Sequence, residues 1–410
     1  MKIQPIRGTH DIFGKNLDKY NSICDEVKRV ASIFNFSEIK TPIFESTDLF
    51  SKQLGESSDV VLKEMYTFQD RNGESLTLRP EYTTPMIRAA ISNNLINLLP
   101  CKIFGIGQMF RRERPQKGRY RQFNQINFEN FGTKDSFADI ELILLANKIL
   151  STLLPNIKIE LYLNSLGDKD SLIKYKKKLS IFLKENKKFL SKESQSKIEN
   201  NPLRILDSKN SDDQLLISKA PLIIEFLSKQ ALKQYEDIKK SLDSLKISYL
   251  EDNSLVRGLD YYCHTVFEFK TKSLGSQDTL IGGGRYDGLI ANLGGKDIPG
   301  IGWAGGIERI MLLMNNTQPS LNLIHFAILD EKFREHALLV YNLVTNKNYP
   351  VFWNFKYNLK KSLSKANESN AKYIIIIGEE EFSINKYKVK NLITGEQNLV
   401  SIDKILSFIK

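Results

Sequence analysis

A chain of 410 residues is long enough for two or three domains, and a hydrophobic content of 41% fits a folded soluble protein. The net charge of +11, from 59 Lys and Arg against 48 Asp and Glu, favours polyanionic partners such as nucleic acid or nucleotides, although a lysine-rich proteome would produce the same excess. The N-terminus lacks a signal-peptide core and no stretch approaches the roughly 18 apolar residues that span a membrane, which excludes a membrane protein and predicts a cytoplasmic one.

Cysteine and histidine are too scattered along the chain to indicate a metal centre. No HExxH motif occurs, and the cysteines are far apart. The sequence therefore predicts neither a disulfide framework nor a transition-metal site. The side chains concerned are expected to be packed or surface residues: Cys24, Cys101, Cys263, His10, His264, His325 and His336.

The first fifty residues predict a helix followed by an edge strand. Apolar residues recur at helical spacing from Leu17 to about Asn35. The stretch SEIKTPIFESTDLF then predicts a short strand that is interrupted at Pro42 and followed by a loop. Because proline tends to keep a strand at the edge of a sheet, another subunit could meet the chain here.

The stretch LTLRPEYTTPMIRAAI predicts a strand to Leu78, a turn, and a helix capped by Thr84 with Pro85 in its first turn. Glu81 and Thr83 lie in the turn. A turn carboxylate can contact a ligand, or it can accept hydrogen bonds from backbone amides, and the sequence leaves both interpretations open.

A long hairpin with a basic loop is predicted for FRRERPQKGRYRQFNQINFENFG, from Phe110 to Gly132. Alternation along the return strand and the same parity on the outgoing strand place these side chains on one face: Phe123, Gln125, Asn127 and Glu129, with Arg111 and Glu113. A guanidinium suits a phosphate, a ring stacks on a base, and a carboxylate accepts hydrogen bonds from an amine or imidazole. This face could hold a nucleotide beside a cationic small molecule, and a solvated hairpin with ordinary ion pairs is the alternative.

Residues 168–247 differ from the rest in being Lys-rich and helical, as in SLIKYKKKLSIFLKENKKFL. We interpret them as an inserted helical module that either lies against a polyanion or simply has a solvated face. The preceding sequence predicts a helix through residues 142–149 and a strand from Ile157.

The strand pattern resumes at Leu255 in LVRGLDYYCHTVFEF and continues through two glycine-rich stretches, TLIGGGRYDGLIANLGG and GIGWAGGIERIMLLM. The last stretch matches the dinucleotide-binding pattern GxGxxG, but no buried strand precedes it and no βαβ unit begins there. A strand that lets a ligand or another backbone approach closely, leading into a helix with Glu308 and Arg309, is the better interpretation, and tight packing is the alternative.

The linker NNTQPSLN separates this half from a C-terminal segment of alternating strands and helices. The pattern predicts a separate α/β domain over 320–410, after a first domain over 1–319 that includes the module at 168–247. Nothing in the C-terminal domain looks catalytic, so binding is its expected role.

Taken together, these stretches resemble class II aminoacyl-tRNA synthetases, and most closely the histidyl-tRNA synthetase family. TPIFESTDLF resembles the first class motif, a dimer-interface element, FRRER with the strand to Glu129 resembles the second, and GIERIML resembles the third. LVRGLDYY at 255–262 and GGRYDGL at 283–289 resemble the signatures specific for histidine. The resemblance covers nearly the whole chain and implies an α+β fold: an antiparallel-sheet catalytic domain with a helical insertion, then an α/β anticodon-binding domain.

The resemblance also implies roles for individual residues. Arg111 and Arg257 are the implied catalytic residues, Arg111 at the ATP α-phosphate and Arg257 bridging that phosphate and the histidine carboxylate. Glu113, Phe123 and Arg309 complete the implied ATP site. The implied histidine site adds Glu81, Thr83 and Gln125 around the α-amino group, and Glu129, Tyr262 and Tyr286 around the imidazole. The hairpin loop resembles the one that contacts the tRNA acceptor end: Arg114, Gln116, Lys117, Arg119 and Arg121.

The implied activity is ATP-dependent formation of histidyl-adenylate, with Mg²⁺, and transfer of histidine to the 3′ end of tRNA(His) by a homodimer. Tyr82 and Asn124 depart from the family pattern beside the pocket. Two alternatives are a regulatory subunit of ATP phosphoribosyltransferase, which lacks the C-terminal domain and parts of the ATP site, and an RNA-binding module with a relic synthetase domain, in which loss of Arg257 or Arg309 is expected. This sequence retains all of these features.

Overall fold

A computed structural model describes residues 3–53, 60–275, 278–315 and 322–409. The chain divides into two compact units, an N-terminal unit, Met1–Asn316, and a C-terminal unit, Thr317–Lys410. Most of the predicted linker, at 316–321, lies outside the described residues.

The N-terminal unit is built from helices and two sheets, one of eight strands and one of three. Its helices are α1 (Lys15–Ile33), α2 (Thr47–Ser51), α3 (Thr83–Ser92), α4 (Phe137–Leu153), α5 (Lys169–Glu185), α6 (Lys192–Lys197), α7 (Ser211–Ile217), α8 (Lys229–Ser244), α9 (Leu289–Asn292) and α10 (Ile307–Leu313). Its strands are β1 (Ser37–Glu38), β2 (Phe44–Ser46), β3 (Tyr66–Gln69), β4 (Ser75–Leu78), β5 (Cys101–Phe110), β6 (Gln122–Phe131), β7 (Glu160–Ser165), β8 (Tyr249–Glu251), β9 (Cys263–Lys270), β10 (Thr279–Arg285) and β11 (Gly300–Gly306).

An eight-stranded sheet in the order β1-β5-β6-β11-β10-β9-β7-β8 forms the centre of this unit. Only the outer pairs β1–β5 and β7–β8 are parallel. Alternation divides the central strands between two cores: Ile126 and Phe128 pack under α1 and α4, whereas Phe123 and Phe131 face a second core with α3 and α5. The predicted antiparallel-sheet domain is therefore confirmed, and it has cores on both faces.

Three local predictions are corrected. The segment after Pro42 is not a loop, because Thr47–Ser51 form α2. Thr84 does not cap α3, which begins at Thr83 after Tyr82 as the capping residue. The strand expected from Leu255 begins only at Cys263, so LVRGLDYY is a loop up to the last tyrosine. At the start of α3, Glu81 accepts from the backbone amides of Thr83 and Thr84. In the loop, the carbonyl groups of Leu255 and Gly258 accept from the side chains of Asn164 and Arg204 instead of from a neighbouring strand.

The Lys-rich segment is helical as predicted, but its last helix belongs to the main core. Tyr235, Ile238 and Leu242 of α8 are buried beside α4 and the central sheet. This helix connects to β8, which pairs in parallel with β7, and a parallel pair requires such a crossover.

The C-terminal unit has a five-stranded sheet in the order β13-β12-β14-β15-β16. Its strands are β12 (Ile324–Ile328), β13 (Val351–Trp353), β14 (Tyr373–Ile377), β15 (Tyr387–Asn391) and β16 (Gln397–Val400), and its helices are α11 (Arg334–Thr345), α12 (Leu359–Glu368), α13 (Glu379–Ser383) and α14 (Ile405–Phe408). The three parallel strands alternate with helices, as the sequence pattern predicts; α13 was not predicted.

His325 on β12 makes the stability of the C-terminal unit depend on pH. Its side chain is fully buried, and among the described residues neither ring nitrogen has a hydrogen-bond partner. Burial lowers the pKa of His325 from 6.5 to about 4. Below pH 6.5 the unfolded chain therefore takes up a proton that the folded unit excludes, so this residue lowers the free energy of unfolding as the pH falls towards 4.

We expect His325→Leu to remove this contribution. Thermal and urea unfolding of both proteins should be measured between pH 7 and 4.5. Over this range the free energy of unfolding should fall by about 2 kcal/mol more in the wild type than in the variant. Parallel pH profiles for the two proteins would rule out His325 as the titrating group.

Candidate active site

The hairpin of β5 and β6 supplies one wall of a cavity of about 510 Å³. The two strands pair in continuous register from Cys101 opposite Phe131 to Phe110 opposite Gln122. The predicted alternation is confirmed, because Phe123, Gln125 and Asn127 line the cavity while Ile126 and Phe128 are buried in the core behind it.

The cavity brings together most of the residues that the sequence singled out. It is lined by Glu81, Thr83, Arg111, Glu113, Arg119, Phe123, Gln125, Arg257, Tyr262 and Arg309, which come from segments far apart in the chain. Glu129 and Tyr286 do not line the cavity themselves but are buried and hydrogen-bonded to each other, and Thr83 links Glu129 to the lining.

Arg111 and Arg309 are held in place by backbone carbonyl groups. Arg111 Nε donates to Pro80 O at 2.7 Å, and its guanidinium carbon lies 5.5 Å from the centre of the Phe123 ring. Arg309 donates from Nε to Gly118 O at 3.1 Å and from Nη1 to Thr279 O at 2.7 Å. Burial lowers the pKa of both guanidinium groups, as expected for cations with little solvent around them.

Arg257 lies in the loop before β9 and depends on a residue that the sequence reasoning missed. It forms a hydrogen-bonded ion pair with Glu268 on β9, and its guanidinium lies 5.7 Å from the Tyr262 ring centre. A Cβ at Gly282 would overlap this guanidinium, so a side chain there would displace Arg257 from its present position. Glu268 was detectable as a charged residue within the apolar run TVFEF.

Glu129 is a fully buried carboxyl group with two hydroxyl donors. Thr83 Oγ1 donates to it at 2.7 Å, and Tyr286 Oη donates to its other oxygen. Burial raises the pKa of Glu129 to about 8, because these donors offset only part of the cost of removing the charge from water. Gly302 makes the arrangement possible, since a Cβ there would overlap the carboxylate.

Glu81 accepts hydrogen bonds from backbone amides, which is one of the two roles that the sequence left open, and it also lines the cavity. Its carboxylate accepts hydrogen bonds from the backbone amides of Thr83 at 2.7 Å and Thr84 at 2.9 Å, and so caps α3. Among the described residues, the buried acceptors Oε1 of Gln125 and Oδ1 of Asn127 have no donor. These oxygens can accept hydrogen bonds from a ligand amine.

The loop between β5 and β6 divides into two parts. Arg114, Gln116 and Lys117 are exposed. Arg119 instead pairs with Glu113 and lies 3.7 Å from Glu64, and Arg121 Nη1 donates to Arg7 O at 3.3 Å. The loop conformation thus depends on the N-terminal segment and on Glu64, neither of which the sequence connected to it.

Of the two departures from the family pattern, Tyr82 lies outside the cavity lining, whereas Asn124 contacts that lining through Glu308. Tyr82 is buried under Arg79, whose guanidinium carbon lies 4.1 Å from its ring centre. Asn124 donates from its backbone N and its Nδ2 to Glu308, which joins β6 to α10, at 2.9 and 2.7 Å. Tyr261 and Glu308 also line the cavity and were not predicted to do so.

Within the described ranges, no helix is long and apolar enough to cross a membrane. Among the same residues, one group has the composition of a metal site, Cys263, His264 and Asp287, whose ligand atoms lie within 4.8 Å of one another. The sequence did not predict this group, because the three cysteines are far apart in the chain. Asp287 is brought beside Cys263 and His264 only by the tertiary fold.

Comparisons with known proteins agree with the geometry. A family model described as "Histidyl-tRNA synthetase" matches residues 8–310, and one described as "Anticodon binding domain" matches residues 322–410. Histidine--tRNA ligase from Wolbachia pipientis subsp. Culex pipiens is 44% identical over 98% of this chain and 99% of that protein. The corresponding protein of Rickettsia bellii is 40% identical over 100% of this chain and 99% of that protein.

The solved structure of apo histidyl-tRNA synthetase from S. aureus superposes with a TM-score of 0.81 at 32% identity, with all of both chains covered. The sequence matches span the catalytic motifs and the C-terminal unit alike. The chain therefore belongs to the histidyl-tRNA synthetase family.

Proposed function

We propose that this chain is an enzyme that activates L-histidine with ATP and transfers the histidyl group to the 3′ end of tRNA(His). The observation that carries the proposal is the cavity itself, in which Arg111, Arg257 and Arg309 share one space with the buried carboxyl groups of Glu81 and, behind the wall, Glu129. Such a combination suits a triphosphate together with a substrate that carries an amine and an imidazole.

The first step is attack of the histidine carboxylate on the α-phosphorus of ATP, which releases pyrophosphate. Negative charge develops on the phosphoryl oxygens, so fixed cations lower the barrier most. Arg111 and Arg257 are assigned to this charge, with Phe123 under the adenine ring and Glu113 at its amino group. Arg309 holds the nucleotide from the other side, anchored by Gly118 O and Thr279 O.

The histidine substrate is assigned to the carboxyl and amide groups of the same cavity. Glu81, Thr83 and Gln125 surround the α-amino group. The buried Oε1 of Gln125, which accepts no hydrogen bond from the described residues, supports this assignment. Glu129, Tyr262 and Tyr286 read the imidazole. A site that hydrogen-bonds both ring nitrogens leaves its own groups unpaired when an apolar side chain enters, which disfavours such competitors by roughly 10⁴ or more.

Mg²⁺ belongs to the proposal as the cation that accompanies ATP. Glu268 and Asp278 line the cavity near Arg309, and carboxylate oxygens with phosphate oxygens are the ligands that Mg²⁺ takes. When bound there, the ion would neutralise phosphate charge. Arg257 and Lys270 already contact Glu268, so this carboxylate would be shared between the ion and the two side chains.

The partner assignments rest on exposed parts of the chain. The acceptor end of tRNA is assigned to the loop with Arg114, Gln116 and Lys117, and the anticodon to the domain at 320–410, after a catalytic domain at 1–319. A homodimer in the cytoplasm is the expected assembly. Exposure of Ile43 and Phe44, beside Pro42 and on the edge strand β2, supports a contact with a second subunit there.

Glu129→Gln tests the imidazole assignment. The change keeps the shape but replaces a carboxyl oxygen that can accept a hydrogen bond from an imidazole N–H by an amide donor, so we expect the KM for histidine to rise about tenfold while the KM for ATP stays within twofold. Steady-state pyrophosphate exchange measures both constants. Glu141→Gln makes the same chemical change at a carboxylate that pairs with Lys102 outside the cavity and serves as the control. Equal rises in both constants for Glu129→Gln would refute the assignment.

The proposed reaction is tested by ATP–pyrophosphate exchange with Mg²⁺ and each standard amino acid in turn, without tRNA. We expect exchange with histidine alone. An ATP phosphoribosyltransferase regulatory subunit/histidyl-tRNA synthetase from Bacillus halodurans C shares the fold, with a TM-score of 0.67 at 20% identity over 92% of this chain and 98% of that one. Histidine binding without any exchange would favour a regulatory role over the proposed one.

A further inference from the structure

Cys263, His264 and Asp287 form a compact cluster outside the cavity described above. Their ligand atoms lie within 4.8 Å of one another, and none of the three residues lines the cavity. Cys263 and His264 open β9, whereas Asp287 follows the end of β10. The cluster is therefore a product of strand pairing between two separate signature segments.

An irregularity in the β9–β10 pairing accounts for the placement of His264. Gly284 pairs with Val266, but the next residue, Arg285, pairs with Cys263, so β9 carries extra residues between these two pairs. His264 adopts a left-handed backbone with φ of 47°, which is uncommon for a residue with a side chain. Such bulges change the direction of side chains. Here Cys263 and His264, which would point to opposite faces of a regular strand, both reach the same cluster.

The surrounding hydrogen bonds hold the cluster in place, and one of its metal-binding atoms has no partner among the described residues. The Asp287 backbone N donates to Cys263 Sγ at 3.2 Å, and Gly300 N donates to Asp287 Oδ1 at 3.2 Å. Among the described residues, Nδ1 of His264 is buried and has no hydrogen-bond partner. Hydrogen bonds from outer groups that orient the first ligands are a usual feature of metal sites.

We propose that Cys263, His264 and Asp287 bind a thiophilic divalent cation of the Zn²⁺ type. A thiolate, an imidazole and a carboxylate are the three side chains that Zn²⁺ takes, and three protein ligands leave a fourth position for water. Bonds of about 2.0 to 2.3 Å place tetrahedral ligand atoms roughly 3.5 Å apart, so binding requires the cluster to contract by about 1 Å. Asp287 is exposed, which provides a path for the ion and a side chain free to move.

The proposal is tested with tag-free, chelator-treated full-length protein titrated with Co²⁺, followed by competition with Zn²⁺. We expect one equivalent of Co²⁺ to produce a sulfur-to-cobalt charge-transfer band that Zn²⁺ abolishes. Cys263→Ser should remove the band. Cys101→Ser, which changes a buried cysteine on β5, should retain it and serves as the matched control.

Asp287→Asn keeps an oxygen for Gly300 N and covers the case in which Cys263→Ser fails to fold. It should weaken Co²⁺ binding by at least about tenfold, because loss of a hydrogen-bond partner of a metal ligand already costs about that factor in metal affinity. Absence of a charge-transfer band at saturating Co²⁺, or an unchanged band in folded Cys263→Ser or Asp287→Asn, would overturn the proposal. The measurement requires no enzymatic activity, so its outcome is independent of the proposed function.

Discussion

Arg257→Ala is expected to lower the rate of histidine activation by roughly 10²- to 10³-fold, the cost of removing one preorganised group from a developing negative charge. The charge of the substrate carboxylate is present before reaction, whereas the α-phosphate oxygens gain additional negative charge as the new bond forms. Histidine binding should therefore weaken by less than about tenfold. Single-turnover adenylate formation gives the rate, and equilibrium titration with histidine gives the affinity.

Lys270→Met provides a matched control for Arg257→Ala. Lys270 lines the same cavity and lies 3.1 Å from Glu268, the carboxylate that also pairs with Arg257. If loss of any cation near Glu268 slowed the reaction, both variants would be equally slow. We expect Lys270→Met to lose less than about tenfold. A fall in histidine affinity as large as the fall in rate for Arg257→Ala would exclude a role specific to the transition state.

Removal of the C-terminal unit is expected to separate the two half-reactions. The cavity lies entirely within the N-terminal unit, so a chain ending at Asn316 should retain histidine-dependent pyrophosphate exchange within about threefold. Charging of tRNA should fall by roughly 10²-fold or more in kcat/KM, because a second linked contact raises affinity by about that factor. Exchange and charging assays on the same preparation give both numbers.

Two controls separate loss of the unit from damage to its neighbour. A full-length chain with a Gly–Ser segment in place of residues 317–321 changes only the connection and should charge tRNA normally. Circular dichroism and histidine titration of the shortened chain test whether its N-terminal unit remains folded. Undiminished charging by the shortened chain would refute anticodon recognition by residues 320–410.

A further expectation concerns the buried ion pair of Arg285 and Asp139. Arg285 directly precedes Tyr286 in the chain. Arg285 donates to Asp139 and to the carbonyl oxygens of Thr133 and Asp135, so it ties β10 to the start of α4. Asp139→Ala should destabilise the protein by about 3–5 kcal/mol, because it leaves a buried guanidinium without its charge partner. Urea unfolding measures the loss, and a change below about 1 kcal/mol would contradict this account.

Much of the candidate site follows from local sequence because its chemistry is carried by strand parity and compact motifs. Alternation along β6 correctly separated Phe123 and Gln125 from Ile126 and Phe128. The rejection of a dinucleotide fold at Gly300–Gly306 was also correct, because this segment is an antiparallel strand between β6 and β10. Side-chain alternation is a property of the extended backbone and needs no knowledge of distant partners.

Other features were decided only by segments that meet in three dimensions. Glu308 beside Asn124 and Asp139 beside Arg285 are pairs separated widely in the chain, and Glu268 beside Arg257 pairs a strand residue with a loop residue. A single sequence carries no signal that these residues are partners. The start of α3, in contrast, was misplaced for a local reason, because Glu81 accepts from the backbone amides of Thr83 and Thr84. The sequence by itself determined which face of each strand bears the chemistry. The tertiary structure decided the partner, burial and protonation of each group, since these depend on desolvation and on charges that arrive from elsewhere in the fold.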